Sequence, residues 1–371
     1  TPLQIASLFL FYEFFGVLTN LFGGWLGARH GLKSTLVSGL TLQILGCAML
    51  AIWASALTIP LLMVAQSMAG VAKDLTKMSS KSYLKLLVPE GQHSRLFRWV
   101  ALLTGSKNTL KGAGFFLGGW LLVVSGFQGA CLWMIAGLAV SLAAAALLLP
   151  PSPGKSASRV RFGHLVSQDR RVNWLSGARF FLFGARDIWF VLALPIFLSS
   201  SLGWSHPQVG GFLALWVIGY GFVQAAAPLI LRRQATGPTA AGPLSQWTAS
   251  LALPLAGIYV GLELGGPPEL VLVVGAIVFG ALFAVTSALH SYLIVAYSDA
   301  DQVSLAVGFY YMANAAGRLV GTALSGALFQ WVGQGERGLQ ACCLGSILFV
   351  LASGFLCRGL GERPPLVASQ P

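Results

Sequence analysis

The chain has 371 residues, of which 56% are hydrophobic and only 9% charged, and its mean hydropathy is +0.76. A soluble domain carries roughly 25% charged residues, so this composition excludes a soluble enzyme, a nucleic-acid-binding domain and a disordered chain. The 23 Lys and Arg against 11 Asp and Glu give a net charge of +12, which in an apolar chain indicates basic loops facing anionic lipid.

Apolar segments long enough to cross a bilayer recur along the whole chain. One transmembrane helix needs about 20 mainly apolar residues. Eleven spans are predicted, at residues 4–27, 35–53, 58–78, 99–124, 127–149, 172–200, 208–231, 244–263, 269–292, 303–331 and 339–357. The chain is therefore predicted to be an all-α membrane protein. All five cysteines fall within these spans, which favours buried thiols over a disulfide or zinc framework.

One polar stretch separates the first five spans from the last six. It runs from Pro150 to Arg171, begins with Pro-Pro-Ser-Pro-Gly-Lys and continues with four arginines. The predicted organisation is an N-terminal helical bundle at 1–149, a basic linker at 150–171 and a C-terminal bundle with a short tail at 172–371.

Basic residues concentrate on alternate loops. One set of loops carries Arg29, Lys33, Lys81, Lys85, Arg95, Arg98, Lys155, Arg159, Arg161, Arg170, Arg171, Arg232, Arg233, Arg358 and Arg363. The opposite loops carry Arg337 as their single cation, together with Glu263, Glu269 and Glu336. This asymmetry predicts that the first set of loops and the C-terminus face the cytoplasm. Thr1 would then lie outside, and we expect a twelve-span protein whose first helix is absent from this sequence.

The first basic loop has a recognisable pattern of glycines and cations. It reads Gly-Trp-Leu-Gly-Ala-Arg-His-Gly-Leu-Lys, with its pattern residues at Gly24, Gly27, Arg29, Gly31 and Lys33. This resembles the loop between the second and third helices of major facilitator superfamily transporters. The resemblance implies two six-helix bundles and a gating role for this loop. An alanine, residue 28, stands where that family carries Asp.

Three further segments narrow the resemblance. They are residues 11–17 (FYEFFGV), 72–82 (AKDLTKMSSKS) and 103–119 (LTGSKNTLKGAGFFLGG). They are similar to the organoarsenical-efflux branch of the superfamily, the ArsJ type. The resemblance implies export of 1-arseno-3-phosphoglycerate, which a partner glyceraldehyde-3-phosphate dehydrogenase makes from arsenate. We also expect a monomer in the bacterial inner membrane that needs no cofactor or metal.

The predicted spans contain more basic than acidic residues. The basic residues are Lys73, Lys77, Lys107, Lys111, Arg179, Arg186 and Arg318, and the acidic residues are Glu13, Asp74 and Asp187. A charged side chain near the centre of a transmembrane helix costs about 2.5–3.5 kcal/mol or more, so this surplus requires a compensating environment. Helical spacing places Lys107 with Lys111, and Arg179 with Arg186, on single faces.

Two interpretations of these cations remain open. Lys73 and Lys77 stand in the last turns of their span and could extend to the interface, with Asp74 pairing with Lys77; Arg179 and Lys107 could also extend in this way. The other interpretation is a polyanion site at the interface of the two bundles, where transporters bind substrate. Its predicted substrate-binding residues are Lys107, Lys111, Arg179, Arg186, Asn314 and Arg318. Arg186 and Asp187 are adjacent on one helix and are not expected to face each other.

Coupling to protons requires a carboxylate that titrates as the site alternates. Glu13 is the first candidate for such a proton antiporter, followed by Asp74 and Asp187. The alternative is that Glu13 only balances a neighbouring cation.

Other functions would leave different patterns. An exchanger of sugar phosphates or other organophosphates would use the same cations. An intramembrane enzyme would need a nucleophile with a base or a metal cluster, and no such motif is present. A receptor that transports nothing would not need cations from both bundles. We therefore predict a transporter and no enzymatic activity.

Overall fold

The computed structural model describes residues 2–150, 169–231 and 241–360, and most of these residues are helical. The N-terminal half contributes α1 (Pro2–His30), α2 (Leu32–Ile52), α3 (Ile59–Leu87) and α4 (His93–Leu148). The C-terminal half contributes α5 (Arg170–Trp189), α6 (Ala193–Ser200), α7 (His206–Leu231), α8 (Ala241–Ser250), α9 (Ala252–Glu263), α10 (Pro268–Tyr297), α11 (Val303–Trp331) and α12 (Glu336–Arg358). Most of the predicted linker, residues 151–168, lies outside the described residues.

Glycine and proline delimit several of these helices. Gly31, with φ +91°, separates α1 from α2, and Gly126, with φ +66°, divides α4 into two helical segments. These backbone angles are accessible to glycine at little cost. Pro60 and Pro268 stand in the first turns of α3 and α10, where a missing N–H breaks no helical hydrogen bond.

The predicted spans and the observed helices agree in position and differ in detail. The span predicted at 172–200 is interrupted at residues 190–192, between α5 and α6, and the span at 244–263 is interrupted at Leu251. The span predicted to end at residue 78 continues as helix to Leu87. Six helical stretches of the described chain are long and apolar enough to cross a membrane.

The surface is apolar where lipid would lie against it. Val123, Leu147 and Leu148 on α4 are each at least 80% exposed. The five cysteines are buried and unpaired, as predicted. A surface of large exposed apolar side chains is what a bilayer solvates and water does not.

Two helix pairs join the N-terminal and C-terminal halves. α1 packs along α11, and α4 packs along α7. At the end of the molecule that carries the basic loops, Phe97 of α4 also packs on Tyr292 of α10, with ring centroids 4.9 Å apart. The charged side chains of α1, α4, α5 and α11 therefore meet at the interface of the halves.

Candidate anion-binding site

Arg318, near the middle of α11, contacts two carboxylates from two different helices. Its Nη2 lies 2.6 Å from Oε1 of Glu13 on α1, and its Nε donates to Oδ2 of Asp187 on α5 at 3.0 Å. Both carboxylates are buried, whereas the Arg318 side chain is 28% exposed. Because α1 and α5 belong to different halves, this guanidinium links the halves electrostatically.

The second oxygen of Asp187 binds the neighbouring Arg186, contrary to the sequence-based expectation. Arg186 Nε donates to Asp187 Oδ1 at 2.6 Å. The spacing rule concerns where side chains leave the helix, and a long arginine can fold back along the helix surface to its neighbour. Arg186 also lies over the ring of Phe183, 4.8 Å from its centroid, which fixes the guanidinium beside the carboxylate.

Lys111 and Asn314 lie near the two arginines and the two carboxylates. Lys111 on α4 is exposed and interacts electrostatically with Arg318, Arg186 and both carboxylates. Asn314 stands one turn before Arg318 and is buried, and its Nδ2 has no hydrogen-bond partner among the described residues. Three cations against two carboxylates leave one positive charge, and the amide adds a free donor. We call Glu13, Lys111, Arg186, Asp187, Asn314 and Arg318 the central cluster.

Arg179 lies in a separate polar network. It is 4% exposed, lies 3.8 Å from the centroid of the Phe183 ring, and donates from Nη1 to Ser287 Oγ at 3.1 Å. Gln224 on α7 also donates to Ser287 and accepts a 2.6 Å hydrogen bond from Asn108 on α4, so this network too connects the halves. Sequence reasoning missed Gln224 and Asn108 because it searched the spans for charges, although buried amides are a similar signal.

Asp74 is the one coupling candidate that does not contact the arginines of the central cluster in the described structure. Its Oδ1 lies 2.7 Å from Lys77 Nζ, as predicted, and its Oδ2 accepts a 3.0 Å hydrogen bond from Asn20 on α1. Asp74 therefore neutralises part of a lysine-rich face of α3, whereas Glu13 and Asp187 belong to the central cluster.

Four lysines line a cavity of about 360 Å³ between α2, α3, α4 and α11. Three of them, Lys73, Lys77 and Lys81, come from successive turns of α3, and Lys107 comes from α4. The prediction that Lys81 lies in a basic loop is wrong: it is 1% exposed. The reason is that α3 continues past the hydropathy boundary, so Lys81 falls one turn after Lys77 on the same face.

The predicted gating loop forms the contact between α1 and α11. Ser304 donates from Oγ to the carbonyl oxygen of Gly24 at 2.9 Å, and a β-carbon placed on Gly27 would collide with the Ser304 side chain. Arg29 lies over the Trp25 ring, 5.0 Å from its centroid. Glycines at this crossing allow the two helix backbones to approach closely.

The remaining loop residues hold the start of α2. Gly31 supplies the positive φ between α1 and α2, and Lys33 donates to the carbonyl oxygen of Leu149 at 2.7 Å. Ala28 is buried, so the position where the resembled loop has a charge is apolar here.

Two apolar helical halves with a charged cluster buried between them define a membrane transport protein. The sequence profile of the Major Facilitator Superfamily matches residues 1–262, and the chain belongs to that superfamily. The superfamily resemblance of the first basic loop is thereby confirmed. No curated protein matches the chain.

Several solved transporters share the fold. The human organic anion transporter MFSD10 (TETRAN) is 17% identical with a TM-score of 0.73, covering 94% of this chain and 83% of the other. A bacterial homologue of the iron transporter ferroportin in an outward-facing state is 13% identical with a TM-score of 0.75, covering 96% and 91%. The E. coli fucose:proton symporter FucP is 15% identical with a TM-score of 0.74, covering 98% and 93%. Membership of the superfamily makes the chain a secondary transporter and not an enzyme, and the helical architecture of its described residues agrees with that fold.

Proposed function

We propose that this transporter exports an organic polyanion by alternating access. The observation that carries the proposal is the surplus of positive charge in the central cluster, between the two halves. An arginine presents a planar fork that matches a tetrahedral oxyanion, and a lysine adds a point charge. A neutral sugar or an apolar drug would leave these cations uncompensated.

In the central cluster, an incoming anion would compete with the two carboxylates for the same arginine donors. The Arg318 atoms that contact the carboxylates, Nη2 and Nε, are the donors that would bind an oxyanion, and Asn314 lies one turn away on the same helix. An anion that binds Arg318 therefore replaces Glu13, and the contact between α1 and α11 through this pair opens. Substrate binding would in this way act on the interface that must rearrange during transport.

The specific substrate we propose is 1-arseno-3-phosphoglycerate, on the resemblance of residues 11–17, 72–82 and 103–119 to ArsJ-type proteins. This compound carries two oxyanion groups on a three-carbon backbone. Glyceraldehyde-3-phosphate dehydrogenase would supply it, as a functional partner that need not bind the transporter. Arsenate resistance would follow from removal of the product.

Arsenate resistance in cells tests the substrate. We expect cells expressing the transporter with a glyceraldehyde-3-phosphate dehydrogenase to tolerate more arsenate than cells expressing either protein alone, because the enzyme makes the exported compound. The measurement is growth over an arsenate series, with surface expression matched between strains. Resistance that does not depend on the enzyme would contradict the proposal and favour exchange of other organophosphates through the same cations.

We propose that Glu13 couples transport to proton movement. Its carboxylate is buried and its ion-pair partner is Arg318, so it loses that partner when an anion binds. A buried carboxylate that loses its cation gains proton affinity. Asp187 keeps Arg186 as a partner in the same step, so Glu13 is the stronger candidate.

Replacing Glu13 by Gln should uncouple transport from pH while leaving exchange intact. In everted vesicles, the proton that Glu13 takes up when the anion binds should enter the lumen with the anion, whereas the antiport expected from the sequence would carry protons out of the lumen. E13Q should lose this proton flux but retain anion counterflow. The matched control is Glu269→Gln, because Glu269 lies at the start of α10 and its carboxylate accepts from Trp204 at the surface. Wild-type proton flux in E13Q would exclude Glu13 as the coupling group.

We also propose that the protein is a monomer in the bacterial inner membrane, with the basic loops and the C-terminus in the cytoplasm. The distribution of Lys and Arg over alternate loops supports this orientation.

A further inference from the structure

The lysine-lined cavity is separate from the arginines of the central cluster and has the chemistry of an anion site. We call Lys73, Lys77, Lys81, Lys107 and Tyr311, which line it, the lysine cavity. Its other polar lining groups are the hydroxyls of Thr76, Ser80 and Thr104 and the amide of Gln43. At about 360 Å³ it has the size of a small-molecule site.

Lys81 provides the strongest evidence that this cavity is an anion site. Its side chain lines the cavity and is 1% exposed, and its Nζ has no hydrogen-bond partner among the described residues. The centroid of the Tyr311 ring lies 5.1 Å from Nζ. A buried ammonium held by one aromatic face is poorly compensated, because burial removes its water and the ring replaces only part of that interaction.

The neighbouring charges add to this imbalance. Lys77 binds Asp74 at 2.7 Å and lies 4.0 Å from the Tyr311 ring centroid, and Lys73 interacts electrostatically with the same carboxylate. Lys107 is repelled by Lys77 and Lys73 and attracted by Asp74, so all of these lysines depend on a single carboxylate. Four lysines and one carboxylate therefore surround one cavity, and an anion bound there would stabilise the charged form of the lysines.

The lysine cavity and the central cluster lie next to each other along α4. Lys107 lines the cavity and Lys111 interacts with the central cluster, and four residues of helix rise by about 6 Å. A three-carbon backbone separates its terminal oxyanion groups by a similar length. One elongated molecule can therefore reach both sites.

We propose that the lysine cavity binds the second oxyanion group of a bis-anionic substrate while the central cluster binds the first. This inference rests on the proposed function, since it assumes that the cargo is an organic polyanion. The group bound in the cavity is a phosphate-class dianion. Lys81, Lys73 and Lys107 bind its oxygens as point charges, and the hydroxyls of α3 donate further hydrogen bonds. Requiring two oxyanion groups at once would discriminate against inorganic phosphate and monoanions.

The test compares the binding of two probes to the full chain in lipid nanodiscs. The probes are 2,3-bisphosphoglycerate, which has two phosphate groups, and inorganic phosphate, which is a single phosphate group. We expect the wild type to bind the bisphosphate at least about tenfold more tightly, because each charge-assisted contact contributes on that scale. Lys81→Met should abolish this preference. It should also raise the melting temperature without ligand, because it removes a buried charge that has no hydrogen-bond partner. Lys85→Met is the matched control: Lys85 lies one turn further along α3, outside the cavity, with Ala296 O 3.5 Å from its Nζ.

Each outcome decides a different claim. If Lys81→Met binds the bisphosphate like the wild type, the lysine cavity is not an anion site. If inorganic phosphate stabilises the wild type but not Lys81→Met and the bisphosphate binds to neither, the cavity is an anion site and the proposed organic substrate is wrong. If Arg318→Gln abolishes bisphosphate binding and Lys81→Met does not, the proposed function survives and this inference is overturned. Lys107→Gln, on the open side of the cavity, gives the same comparison if Lys81→Met fails to fold.

Discussion

Replacing Arg318 by Gln is expected to abolish polyanion transport and to lower stability. Glutamine cannot satisfy both the Glu13 and the Asp187 carboxylates, which are buried and would be left with less positive charge around them. Removing one partner of a buried ion pair costs about 3–5 kcal/mol, and loss of a charged ligand contact costs about 2–5 kcal/mol of binding. The measurements are counterflow of 2,3-bisphosphoglycerate in proteoliposomes and the melting temperature in nanodiscs.

Two companion variants separate the structural from the transport role of Arg318. The double variant Glu13→Gln with Arg318→Gln removes one charge of each sign, so it should recover much of the lost stability and none of the transport. Arg337→Gln is the control for the substitution itself, because Arg337 is exposed at the start of α12. Wild-type counterflow in R318Q would remove Arg318 from the binding site.

Replacing Gly308 by Val is expected to hold the two halves apart at the end that carries the basic loops. A β-carbon on Gly308 would lie 2.7 Å from Cα of Gly24 and 2.8 Å from the carbonyl oxygen of Asn20. Both are backbone atoms of α1, so relief requires moving this end of α1 away from α11. Overpacking costs about 1–3 kcal/mol, which shifts a two-conformation equilibrium by about 5- to 150-fold.

Spin labels report this separation directly when they are attached at Arg29 and Gln302. Both positions are exposed; Arg29 lies at the end of α1 and Gln302 lies just before α11. We expect a longer label distance and slower transport in G308V, with anion binding retained because Arg318 lies ten residues further along α11. Gly118→Val is the matched control, because a β-carbon on Gly118 meets nothing within 4 Å. An unchanged distance distribution would show that the packing of α1 on α11 at Gly308 does not control the separation of the two halves.

The membrane class, the approximate spans and the surplus of buried cations could be predicted from the sequence. Hydropathy is a local sum, so about 20 apolar residues predict a helix wherever they occur. Because charged residues within a span are rare and costly, each one indicates a function. Lys111, Arg186 and Arg318 were predicted as substrate-binding residues for that reason. The pattern of glycines and cations in the first basic loop, including Gly24 and Gly27, led to the superfamily by resemblance to its known members.

The pairing of these charges depends on how the helices rotate and pack, and no local pattern reports that rotation. Arg318 contacts Glu13 and Asp187, which are 305 and 131 residues away in sequence, because α1 and α5 both pack on α11. Lys81 looked like a loop residue because hydropathy falls before α3 ends, and its burial follows from the helices that surround it. The sequence thus determines which charges enter the membrane, since insertion cost depends on residue type. The packed structure determines which of them are neutralised and which remain for an anion, since that depends on distances between helices.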